Sequence, residues 1–177
     1  MVQLSIRSVT TVAATPWLAL AAAAAASAMM LLVAFFFQFV LDLFPCRLCL
    51  YQRYPYAIVV VVGILGALLL RRAGAPSAQA MLLAAACALL FAVDASIAAF
   101  HVGVEEGWWM GTESCVGGDV DIDDIDALRE AVLTAPAVRC DDVTWSLLGI
   151  SMAGWNFLVA TGLALAGIAT LLSWRRA

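Results

Sequence analysis

Five cysteines occur in the chain, and four of them stand where thiol chemistry is possible. Cys46 and Cys49 lie in Pro-Cys-Arg-Leu-Cys, the spacing in which one thiolate can displace the other from a mixed disulfide. Pro45 sets up a helix start ahead of the pair, and the unpaired amides and dipole of a helix start lower a thiol's pKa. Arg53 follows Cys49 by four residues, which puts it on the same helical face one turn deeper. An Arg inside an apolar helix costs about 2.5 to 3.5 kcal/mol at mid-membrane, so its default reading is functional, with a snorkelling structural Arg as the alternative. A cation there would stabilise a thiolate, or an anion developing on an acceptor that must itself be apolar. Cys115 and Cys140 lie in a later acidic segment, where a structural disulfide is the plain reading. Two pairs on one side of a membrane also permit relay of electrons by thiol-disulfide exchange. Cys87 sits among Ala and Leu and is assigned no role.

The elements that must position these thiols follow from composition. Of 177 residues, 65% are apolar and 12% charged, which excludes a water-soluble globule. Thirteen acids outnumber nine basic residues, all of them Arg, which argues against nucleic-acid binding. Four apolar runs, at about 17–41, 50–70, 79–100 and 144–172, are each long enough to cross a bilayer. The fold class expected is therefore an all-α membrane protein, a four-helix transmembrane bundle forming one membrane domain over 1–177. The first run outlasts a secretory signal and is read as an uncleaved span. Loops at about 42–49 and 101–143 fall on the cysteine side. Arg7, Arg71, Arg72, Arg175 and Arg176 fall on the other, which puts both termini in the cytoplasm. Trp17, Trp108, Trp109, Trp145 and Trp174 fall near span ends and read as interface anchors.

Eleven of the thirteen acids lie in the second outer loop. Asp119, Asp121, Asp123 and Glu130 have some of a calcium loop's spacing, but Asp124 stands where that loop needs glycine. Ile122, Ile125, Leu128 and Val132 recur at helical spacing, so a short amphipathic helix on the outer membrane face is the better expectation. His101, at the predicted end of the third span, could hydrogen-bond a bound carbonyl or be an ordinary interfacial residue. Asp94 precedes it by two turns and would suit a proton path that nothing else supports. Ser151 through Asn156 combine small residues with Met152 and Trp155, which suits either close packing or an apolar pocket.

Taken together, Pro-Cys46-Arg-Leu-Cys49-Leu-Tyr-Gln-Arg53, the second cysteine pair, the four spans and the Trp145, Leu148, Gly149, Met152, Trp155 stretch resemble the disulfide bond formation protein B family, DsbB. The resemblance covers nearly the whole chain and implies a quinone-dependent membrane thiol oxidase of the bacterial inner membrane. In that family the partner is a periplasmic DsbA-like, thioredoxin-fold oxidase, and the electron acceptor is a membrane quinone, ubiquinone or menaquinone. By position, the resemblance implies that Cys115 takes the mixed disulfide with the partner, Cys140 cross-links transiently to Cys46, and Cys49 meets the quinone. Arg53, His101 and Met152 match positions bordering the quinone pocket. Gln52 stands where some members have Glu, and the acidic stretch matches no family motif.

Three rival readings predict different things. A vitamin K epoxide reductase-like protein also has four spans, but its Cys-x-x-Cys falls near the end of the last helix, whereas here it opens the second. A zinc site of Cys46, Cys49, Cys115 and Cys140 would need a second pair as closely spaced as the first. A scaffold with one stapled loop would leave Cys49 dispensable.

Overall fold

A computed structural model describes residues 15–72, 77–112, 115 and 138–176. Four long helices follow one another: α1 Pro16–Phe39, α2 Arg47–Leu70, α3 Ala78–Glu105 and α4 Met152–Arg176. All four are long and apolar enough to cross a membrane, and they form an all-α four-helix membrane bundle. The amphipathic helix expected around Ile122 to Val132, the Gly74–Pro76 turn, Arg7 and Arg129 lie outside the described residues.

Each start has a local cause. Pro16 opens α1, where its missing amide leaves no bond unmade. Cys46 caps α2, its sulfur accepting from the Cys49 amide at 3.3 Å. Ser77 caps α3 in the same way, accepting from the Ala80 amide at 3.2 Å.

Packing runs α1 on α2 and α4 on α3, with α2 against α3 joining the two pairs. Lipid offers no hydrophobic drive between spans, so close approach through small residues carries the association. A Cβ on Gly63 would lie 2.8 Å from the Leu20 carbonyl oxygen of α1, too near for any other residue. Larger apolar side chains turn outward instead, as at Leu69, 80% exposed, and at Leu32, Leu82 and Leu165. Leu20, Tyr56, Val59, Phe91 and Trp174 occupy the interior. Trp174 is therefore a core residue, contrary to its expected anchoring at the interface.

Two span boundaries differ from the expectation. Helix α3 runs on to Glu105, one turn past the predicted end, so His101 lies within it and one turn from a carboxylate. Helix α4 starts at Met152 rather than near 144, because the chain first makes a hairpin of β1 Ser146–Leu147 and β2 Ile150–Ser151. Its two central residues, Leu148 and Gly149, have φ of 55° and 78°, the positive pair that a tight two-residue hairpin requires. A helix cannot continue through that conformation.

Candidate functional site

The two free cysteines of the Cys-x-x-Cys face each other at the start of α2, their sulfurs 3.0 Å apart. Cys46 is buried and Cys49 is half-buried. His101 of α3 brings its Nε2 to 3.6 Å from the Cys46 sulfur. The hydrogen bond from the Cys49 thiol, together with His101, holds the Cys46 thiol well below the ordinary range, against the opposing effect of burial. Cys46 is thus the more readily ionised of the pair, as its position at the helix N-terminus favours. Glu105 lies one turn beyond His101, an oxygen 3.9 Å from the same ring nitrogen, and accepts a hydrogen bond from the Ser151 hydroxyl. That bond ties the hairpin to α3.

Cys115 and Cys140 are joined in a disulfide with their Cα atoms 5.1 Å apart. The Cys140 amide donates to the Cys115 carbonyl at 3.1 Å, so the bridge is braced by backbone as well. Both residues are fully buried in one cluster with Cys46, Leu48 and Val104, against which Cys49 also packs. All four cysteines predicted to carry chemistry are therefore together. Because Cys115 and Cys140 are bonded to each other, the four-thiolate zinc site is not present.

Cys49 also lines an apolar cavity of about 310 Å³. Arg53 and Met152 line the same cavity, as do Phe37 and Trp145, whose rings meet edge to face at 4.9 Å. The Arg53 guanidinium donates to the Gln38 side-chain oxygen and lies 5.2 Å from the centre of the Phe35 ring. Its charge is therefore held in place by α1. His101, expected at this cavity, is not on its wall but beside Cys46, which its place inside α3 explains.

Several polar contacts here escaped the sequence reading. The Gln52 side-chain nitrogen is buried at the cavity wall with no hydrogen-bond partner. Asp94 is fully buried and accepts from the Asn156 amide at 2.9 Å, while Tyr56 donates to the Asn156 oxygen at 2.8 Å. Asp94 thus faces α4 and not the His101 environment. Glu105 had a signal in its spacing of four from His101; the Asp94 partners had only the presence of polar residues in two apolar spans.

Comparison with known proteins agrees with this arrangement. A family model described as "Disulfide bond formation protein DsbB" matches residues 16–170. A "Disulfide bond formation protein B" of Dechloromonas aromatica is 28% identical over 135 residues, 71% of this chain and 74% of the relative. Proteins of the same description from Polaromonas sp. (strain JS666), 27% identical over 136 residues (75% and 77%), and Albidiferax ferrireducens, 28% over 147 residues (80% and 78%), are also similar. No solved structure matches the chain. With the match spanning all four helices and both cysteine pairs, the chain belongs to the DsbB family of disulfide bond formation membrane proteins.

Proposed function

We propose that the chain is a quinone-dependent thiol oxidase that reoxidises a DsbA-like, thioredoxin-fold partner. The observation that carries this reading is that Cys49, Arg53 and Met152 share one apolar cavity, while Cys46 shares a buried cluster with the Cys115–Cys140 disulfide. The pair thus has one cysteine beside a disulfide and the other at an apolar cavity.

A quinone head group suits the cavity on two counts. The walls are predominantly apolar, and the unpartnered Gln52 nitrogen is a buried donor awaiting an oxygen acceptor. Leaving such a donor unmet costs about 1 to 3 kcal/mol, which a carbonyl in the cavity would recover. Cys49, Gln52, Arg53 and Met152 would hold it. A quinone bound there supplies the acceptor for the electron pair and two protons released as Cys46 and Cys49 become a disulfide.

The cysteines do the rest by exchange. A partner thiolate attacks the Cys115–Cys140 bond, forming a mixed disulfide at Cys115 and freeing Cys140. Cys140 attacks Cys46 of an oxidised inner pair; the Cys46–Cys49 bond breaks and the charge is left on Cys49, one turn from Arg53. The partner's second thiol resolves the mixed disulfide, and the freed Cys115 displaces Cys46 from Cys140, which restores the outer disulfide. The inner pair then carries the electrons. Energetics favour an acceptor of this kind, because DsbA, at about −120 mV, is too oxidising to be drained by glutathione at about −200 mV. Arg71 and Arg72 after α2 and Arg175 and Arg176 closing α4 support an inner-membrane orientation with both termini cytoplasmic.

The test is quinone reduction followed by absorbance, with the reduced partner as donor. Turnover that disappears in Cys49→Ser supports the reading. No turnover with ubiquinone or menaquinone, in protein shown to be folded, overturns it.

A further inference from the structure

The sulfurs of Cys46 and Cys49 and the Nε2 of His101 all lie within 4.8 Å of one another. Two thiols and an imidazole are the donor set of a soft-to-borderline divalent cation, and three protein ligands with an open fourth position are a familiar zinc arrangement. Around a tetrahedral zinc, bond lengths of about 2.3 Å to sulfur and 2.05 Å to nitrogen set the nitrogen–sulfur separation at about 3.6 Å. The Cys46 sulfur stands 3.6 Å from the His101 Nε2. The two sulfurs, at 3.0 Å, would have to part by roughly 0.8 Å to reach tetrahedral spacing, which a rotation of the half-buried Cys49 side chain supplies.

The surroundings agree with a cation. A carboxylate oxygen of Glu105 lies 3.9 Å from the same His101 nitrogen and adds negative charge beside the site. His101 Nε2 faces the Cys46 sulfur and would have to give up any proton it shares with that sulfur before ligating; the other ring nitrogen, Nδ1, is buried and can carry the proton of the neutral imidazole. Two thiolates cancel the charge of a dication, so Arg53, one turn along α2, would face a neutral site.

We propose that the dithiol form of Cys46 and Cys49, with His101, binds one zinc-like divalent cation. Two thiols lose two protons to solvent as two metal–sulfur bonds form; no electron moves. The oxidised pair has no thiolate to offer, so the site exists only in the reduced state. While it is filled, neither sulfur can form a disulfide, and a thiophilic cation in the outer compartment would halt the oxidase. Binding stands on the geometry alone; the arrest rests on the function proposed above.

The experiment is a titration of the full-length protein in detergent micelles with Co²⁺, then displacement by Zn²⁺, read as thiolate-to-metal absorption and by zinc X-ray absorption. It uses a Cys115→Ala/Cys140→Ala background, with Cys115→Val/Cys140→Val as a second should the first be unfolded, so that other thiols near the site are absent. One cation per chain is expected in the dithiol form and none after oxidation of Cys46 and Cys49, with two sulfurs and at least one nitrogen around zinc. Cys49→Ser should abolish binding, and His101→Ala and His101→Gln should each weaken it at least tenfold. Uptake that survives Cys49→Ser, a sulfur-only shell, or no uptake by folded dithiol protein overturns the proposal. Quinone turnover without cation uptake would remove this inference alone, and uptake without turnover would remove only the oxidase reading.

Discussion

His101 Nε2 stands 3.6 Å from the Cys46 sulfur although 55 residues separate the two in sequence, and the contact joins the start of α2 to the last turns of α3. It gives the two cysteines of one motif different neighbours. Cys46 has an imidazole beside it and the Cys115–Cys140 disulfide in its cluster; Cys49 has an apolar cavity and a guanidinium.

One consequence concerns pH. Contact with the Cys49 thiol and His101 holds the Cys46 thiol below the ordinary value of about 8.5, so its folded pKa is depressed relative to the unfolded chain. A depressed acid contributes stability that is full above its unfolded pKa and lost as pH falls through the folded one. Alkylation of Cys46 by iodoacetamide should therefore keep its rate below pH 8, with its midpoint well under that of a free thiol. His101→Ala should move the midpoint upward. An unchanged midpoint in the variant would remove His101 as a cause.

Arg53 does two things that Lys does less well together: it donates to Gln38 and sits over the Phe35 ring. Arg53→Met should lower kcat/KM for quinone about 100-fold, on the scale of losing a positioned charge donor. Arg53→Lys should recover only part of that. Steady-state kinetics with varied quinone would check both, and wild-type kinetics in Arg53→Met would exclude a role at the cavity.

Asp94 tests the interior. Asp94→Ala would leave the half-buried Asn156 amide without its acceptor, which costs about 1 kcal/mol or more, whereas Asp94→Asn keeps an oxygen in reach. Thermal unfolding in micelles, followed by tryptophan fluorescence, should show a clear loss for Ala and a smaller one for Asn. Equal melting temperatures for all three proteins would mean that the network adds nothing to stability.

The outer disulfide closes a loop with a sequence separation of 25, and chain-entropy arguments assign a loop of that size about 3.5 kcal/mol. Cys115→Ala/Cys140→Ala should unfold at lower denaturant by a corresponding amount. A denaturation midpoint equal to wild type would show that the disulfide adds nothing to stability.

The bundle was legible because its signal is gross: apolar runs of span length survive any error in local detail, and the Cys-x-x-Cys to Arg53 spacing needs only helical geometry. The partnership of Cys49, Arg53 and Met152 came from resemblance, since nothing in spacing relates the start of α2 to the start of α4. His101 was assigned to the cavity by the same resemblance; in the structure α3 continues one turn past the predicted end, with His101 beside Cys46 and Glu105 one turn beyond it. The hairpin before α4 was hidden because Leu148 is a good helix former, and its positive φ reflects the turn rather than its own preference. Tertiary contact alone pairs Asp94 with Asn156, on helices that 46 residues of chain separate.

That hairpin also sets a tolerance. Leu147 and Trp145 on its first arm help wall the cavity, Trp155 donates from its ring nitrogen to the Leu147 carbonyl, and Ser151 anchors the second arm to Glu105. The register Ser146 to Ser151 is fixed by a two-residue turn, and a slip of one residue reverses which side each arm presents. The six residues from Ser146 to Ser151 therefore act as a ruler: side chains on them can be exchanged more freely than their number, and a single insertion would dismantle one wall of the cavity while leaving every span intact.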